Sequence, residues 1–211
     1  MNKRLGGGLQ YSVYQVSETR VRKVPASQFQ KIAFCIAFGY PLLEIRSSIK
    51  EVDELAQASI QELKARGDTL PRELFGNPTF GTGIEYEQDL VTPVGNYLED
   101  RSIDEKKKVF DGFIENSHAL WSYGIADEVF NFTVNNGVTE QGTVVLSDLG
   151  ELCFMKDDIA ELIKQKLWLT QRSFKEIRKS DPAFSTYIES EMDSKITLQN
   201  LNLHWGTNVK S

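Results

Sequence analysis

The chain has 211 residues, a size at which a single core can bury enough apolar surface to fold without staples, as one domain or one domain split into two lobes. Its composition is 40% hydrophobic and 26% charged with no repeat or low-complexity tract, which is globular and excludes a disordered chain. A net charge of −6 argues against a general nucleic-acid binder, which needs surplus Lys and Arg, although Lys3, Arg4, Arg20, Arg22 and Lys23 make one end basic.

In chain order, Gly6-Gly7-Gly8 comes first, a loop whose backbone can approach a ligand closely. Alternating Tyr11, Val13, Tyr14 and Val16, then Val21 and Val24, predict a β-hairpin over residues 9–25 that turns at Ser17-Glu18-Thr19. Ile45, Ile49, Val52, Ala56, Ile60 and Leu63 recur at spacings of three and four before Gly67, so an amphipathic helix is expected over about residues 42–66. On its wheel Glu44, Glu51 and Glu62 border the apolar stripe, while Glu54 lies opposite it.

Short strands over 78–80 and 83–86 precede a polar connector, Glu87-Gln88-Asp89, and the segment 90–98. Ser102 with Glu105 forms a capping box for a second helix, whose rows Val109, Phe113, Leu120 and Phe110, Ile114, Trp121 run to Gly124. A second hairpin is expected from strands 134–139 and 143–147 around Glu140-Gln141-Gly142. The tail after Asp157 alternates helical patterns with breaks at Ser180-Asp181-Pro182 and at 195–197. Strands and helices segregate along the chain, which is the pattern of an α+β protein. Trp121, Trp168 and Trp205 are read as core residues by default, with interface anchors as the alternative.

Cys35 and Cys153 match no metal or redox spacing and are read as buried free thiols in a reducing compartment. The apolar run 32–43 is too short to span a bilayer, and the N-terminus lacks the early apolar stretch of a signal peptide. The expectation is a cytoplasmic protein with neither a membrane nor a nucleic acid as partner.

Three motifs carry candidate chemistry. The stretch Gly6-Gly7-Gly8-Leu9-Gln10-Tyr11-Ser12-Val13 fits the Gly-x-Gly-x-x-x-x-Val form of a phosphate-covering loop, with Tyr11 at the place of the third glycine, and a flexible tail fits it too. Ten residues beyond Val13, Lys23 sits late in the second strand among apolar neighbours, where it can contact a phosphate as a point charge or simply face solvent. In the second hairpin Asn135 opens and Asp148 closes the pair of strands, thirteen positions apart, and an amide oxygen beside a carboxylate is a hard-oxygen site suited to Mg²⁺.

With Ser147-Asp148-Leu149-Gly150 standing like the Asp-Phe-Gly element, the chain resembles the protein-kinase-like superfamily over about residues 5–150, and is similar to small bacterial kinase-like proteins of poorly defined substrate. The resemblance implies a two-lobed α+β fold, with a β-rich lobe carrying one long helix over 1–89 and a shortened, mainly helical lobe with the hairpin metal site over 90–211. It implies that Gly6, Gly7, Gly8 and Val13 cover the phosphates of ATP, that Lys23 holds them while paired with Glu51, and that Glu87, Gln88 and Asp89 form an adenine-binding hinge. Asn135 and Asp148 would hold Mg²⁺. The pattern departs at the catalytic loop, because five positions before Asn135 stands Phe130 rather than Asp. Asp127 is the candidate base, and Asn131, four positions after it, is the alternative amide ligand. His118, inside the second helix, is read as a packed residue. The function so implied is an ATP- and Mg²⁺-dependent phosphotransferase acting on an unknown, small-molecule acceptor. The alternative is an inactive pseudokinase that binds nucleotide or a protein partner.

Overall fold

The computed structural model describes residues 3–209. They form a mixed fold of helices and antiparallel sheets, divided into two compact units, Met1–Leu90 and Val91–Ser211.

In the first unit β1 (Lys3–Gly7), β2 (Tyr11–Gln15) and β3 (Arg20–Pro25) are followed by helices α1 (Gln28–Ala37) and α2 (Ile45–Arg66) and by β4 (Thr79–Phe80) and β5 (Tyr86–Asp89). The five strands form one antiparallel sheet in the order β1-β2-β3-β5-β4. The expected hairpin over 9–25 is present as β2 and β3. The glycines differ from expectation: Gly6 and Gly7 are paired to Val13 and Ser12 inside β1, so only Gly8 stands in the turn. A Cβ on Gly7 would come within 2.8 Å of the Tyr11 carbonyl oxygen, and glycine here serves the close approach of two strands.

Helix α2 fills the expected span, burying Ile45, Ile49, Ala56, Ile60 and Leu63. Helix α1 was not anticipated, because its two buried residues are Lys31 and Cys35 rather than an apolar stripe. Lys31 Nζ is ion-paired with Asp53 Oδ1 of α2, and the Lys31 side chain is 5% exposed. The lysine's stem packs inward and its charge is neutralised there, which reverses the usual polarity of a helix face.

Glu87, Gln88 and Asp89 are not a connector. They lie in β5, opposite Arg22, Val21 and Arg20 of β3. Arg22 Nε donates to Glu87 Oε1 at 2.8 Å and Arg20 Nη1 to Asp89 Oδ1 at 2.8 Å. These cross-strand ion pairs let charged residues occupy a strand that polar composition alone reads as loop. Asp89 N donates to the Gly76 carbonyl at 2.8 Å.

The second unit runs β6 (Thr92–Pro93), α3 (Val94–Tyr97), α4 (Ile103–Ser122), β7 (Ala126–Asp127), α5 (Phe132–Asn135), β8 (Asn136–Val138), β9 (Val144–Leu146), β10 (Leu152–Cys153), α6 (Lys156–Lys164), α7 (Arg172–Ser180), α8 (Pro182–Lys195) and α9 (Leu198–His204). Helix α4 begins at the expected capping box of Ser102 and Glu105 and closes at Gly124, whose φ is +66°. It buries Phe110, Phe113 and Trp121 against Phe132, Trp168 and Phe184 in one core, with Phe110 and Phe132 edge to face at 4.9 Å. The second hairpin is shorter than expected, since Val134 and Asn135 belong to the helical turn α5 rather than to a strand. Both cysteines are free and buried, and no helix among the described residues is long and apolar enough to cross a membrane.

Candidate functional site

The first unit gathers three of the expected residues on one row of its sheet. Gly6 of β1 stands opposite Val13 of β2, Val13 opposite Lys23 of β3, and Lys23 opposite Tyr86 of β5. Directly opposed residues present their side chains on the same face. The Lys23 side chain is buried, with Nζ 5.6 Å from the centroid of the Tyr86 ring. Added Cβ atoms on Gly6 and Gly8 would meet nothing within 4 Å. Glu51 does not join this row as expected: it is exposed, and among the described residues it has no hydrogen-bond or ion-pair partner. The carboxylate of α2 that meets a buried lysine is Asp53, and the lysine is Lys31.

In the second unit the short antiparallel pair of β7 and β10 sets Asp127 opposite Leu152, one residue after Glu151. Asp127 is 6% exposed. Its Oδ1 accepts hydrogen bonds from Val129 N and Asn135 Nδ2, and its Oδ2 from Asn131 N, each at 3.1 Å. The loop wraps around the carboxylate because Phe130 adopts φ +48°, a left-handed conformation uncommon for a bulky residue, which turns the amides on either side of it toward Asp127.

Asn135 is the hub of this site and is 2% exposed. Its carbonyl oxygen accepts from Ser147 N at 2.8 Å and Asp148 N at 2.9 Å, so the ends of the hairpin meet as the spacing implied. Its side-chain Nδ2 donates to Asp127 and also to Glu151 Oε2 at 3.2 Å. The amide nitrogen is thus turned to the acids, while Oδ1, the atom that would meet a metal, takes no hydrogen bond among the described residues. In Asn131 that atom is occupied, its Oδ1 accepting from Ser173 Oγ at 3.0 Å. Asp148 Oδ1 accepts from Gly150 N at 3.3 Å. Among the described residues, the second oxygen of Asp148 and Oε1 of Glu151 take no hydrogen bond.

Burial pushes the Asp127 carboxyl up to about 6, against its donors and with help from Asp148. Burial, then the charges of Asp148 and Asp127, push Glu151 up to about 7. The charges acting on both are other carboxylates, as in any site where like charges are crowded out of water. No group of three or more His, Cys, Asp or Glu side chains among the described residues is arranged to hold a metal by itself. Glu151 escaped sequence reasoning. A carboxylate three positions after Asp148 is a weak signal, and only the strand pairing reveals that it faces Asp127. His118 is packed as expected: Nε2 is hydrogen-bonded to the Lys195 carbonyl at 3.0 Å, the ring stacks on His204 at 4.7 Å, and burial lowers its pKa.

No protein-family model matches the chain, and no curated protein matches it. Among solved structures it is similar to one described as a divergent kinase lacking the glycine-rich loop, which regulates membrane ultrastructure of the Toxoplasma parasitophorous vacuole. The two share 18% identity at a TM-score of 0.40, over 74% of this chain and 67% of that one.

Proposed function

We propose that this chain is a kinase-like protein that binds ATP together with Mg²⁺. The observation that carries this reading is the cluster of Asp127, Asp148 and Glu151 around Asn135, where burial and neighbouring carboxylates raise the pKa of Asp127 and Glu151, and where Asp148 and Glu151 each keep an oxygen without a hydrogen bond. The donor set is hard oxygen of surplus negative charge, which suits Mg²⁺. That ion is commonly held by one or two carboxylates, with phosphate oxygens and water completing its shell, so three protein ligands are not required. Asp148 and Glu151 are the residues that would hold it, and Asn135, itself bonded to Asp127, would hold Glu151 in place. When bound, the ion would neutralise phosphate charge. In the first unit, the row of Gly6, Val13 and the buried Lys23 supports Lys23 as a phosphate contact.

The binding reading, that of a pseudokinase, is preferred to catalysis because both oxygens of Asp127 already accept hydrogen bonds from the loop around it. The second reading, a phosphotransferase with a small-molecule acceptor, is favoured by the same residue's pKa of about 6, which is near the operating range of a general base.

Thermal denaturation with ATP, with and without Mg²⁺, tests the proposal. A ligand that binds only the native state stabilises it by RT ln(1 + [L]/Kd), so ATP with Mg²⁺ is expected to raise Tm, and Asp148→Ala or Glu151→Gln to abolish the Mg²⁺-dependent part. No shift under any condition rejects the proposal. ATP turnover that falls in Asp127→Asn while the thermal shift is retained would establish the second reading.

A further inference from the structure

Helix α1 turns its single charged residue inward and its apolar residues outward. Lys31 and Cys35, four positions apart, are buried against α2, with Cys35 packed among Ile45, Ile49 and Leu9. The opposite stripe carries Phe29 at 81% exposure, Ile32 at 41% and Ile36 at 56%, with the exposed Ala33 and Ala37 beside them. The chain that leaves the helix exposes Phe38, Tyr40, Leu42 and Leu43 as well, the last at 99%, and the Phe38 ring stacks on Phe34 at 4.2 Å. With side chains of this kind, the exposed portions amount to roughly 800 Å² of apolar area. The largest apolar patch on a typical monomer is about 300–600 Å². A standard protein–protein interface takes about 800 Å² from each partner, so the patch is of the size a stable dimer needs.

We infer that this face is the interface between two copies of the chain, paired about a two-fold axis along α1 and the segment that follows it. Two-fold pairing sets a surface against its own image, so a charged face would repel itself, whereas residues 32–43 carry no Asp, Glu, Lys or Arg at all. A lipid surface is the poorer occupant. Interfacial helices carry Lys and Arg along their polar face, but the lysine of α1 is buried and paired with Asp53, and the next charged residue beyond the stripe is Glu44.

Sedimentation velocity and light scattering on the full chain, across a dilution series, test this. The wild type is expected at twice its 23.9 kDa chain mass. Ile36→Asp with Leu43→Asp is expected to halve that mass while leaving the circular dichroism spectrum and Tm of the monomer intact, since both side chains face outward. Leu203→Asp, an exposed site on α9 at 66%, is expected to leave the dimer unchanged. A wild type that stays monomeric throughout the series overturns the inference, as does a dimer that survives the double substitution. A monomer that co-sediments with phosphatidylcholine vesicles would overturn it in favour of a lipid surface.

Discussion

A carboxyl group that must be buried beside other carboxyls keeps its proton longer than one in water. Asp127 moves from 3.8 to about 6 and Glu151 from 4.5 to about 7 on folding. Because both folded values are raised, the native state binds protons that the unfolded chain has released. Their contribution to stability is therefore fully present below the unfolded values and is lost as pH rises through about 6 and then about 7. In metal-free buffer the urea midpoint of the wild type should fall between pH 4 and 7, and Asp127→Asn should flatten the lower part of that fall; a midpoint independent of pH would contradict it. A second residue-scale expectation concerns Lys31. Asp53→Ala leaves an ammonium group stranded at 5% exposure and should cost about 3 kcal/mol, whereas Lys31→Met, which removes the charge and keeps the stem, should cost far less. Equal losses of Tm in the two variants would show that packing rather than charge decides the matter.

At the scale of elements, the legible parts were those whose signals are local. Ser102 and Glu105 announce α4 because a capping box is complete within four residues, and Gly67 and Gly124 mark helix ends for the same reason. The parts that were hidden depend on partners far along the chain. Glu87 and Asp89 pass for a loop until Arg22 and Arg20 neutralise them from β3, and α1 conceals itself because its inward residue is a lysine answered by Asp53, 22 positions away. The candidate site divides in the same way. Asn135 and Asp148 were found because one hairpin brings them together. Glu151 was not, because its meeting with Asp127 rests on the pairing of β7 with β10. The hairpin itself is closely fitted. A Cβ on Gly137 of β8 would stand 2.2 Å from Cγ2 and 2.8 Å from Cβ of Val91, so Gly137→Ala should cost about 1–3 kcal/mol, read as a lowered Tm. Val91→Ala in the same background should recover part of that loss.

At the scale of the whole molecule, the chain is two compact units, one with the sheet row of Gly6, Val13 and Lys23, the other with an acidic cluster around Asn135. Composition and strand-helix order were enough to indicate a mixed α+β chain, since they depend on sums over many residues. The tryptophans, two buried and one partly so, add an optical consequence. Trp121, Trp168 and Trp205 all fall within Val91–Ser211, and the first unit has none. Indole emission excited at the red edge of the absorption band is thus a private signal of the second unit, with Tyr and Phe the only chromophores of its kind in the first. Changes in that emission on adding Mg²⁺ alone would register events in the acidic half of the chain without any label being attached.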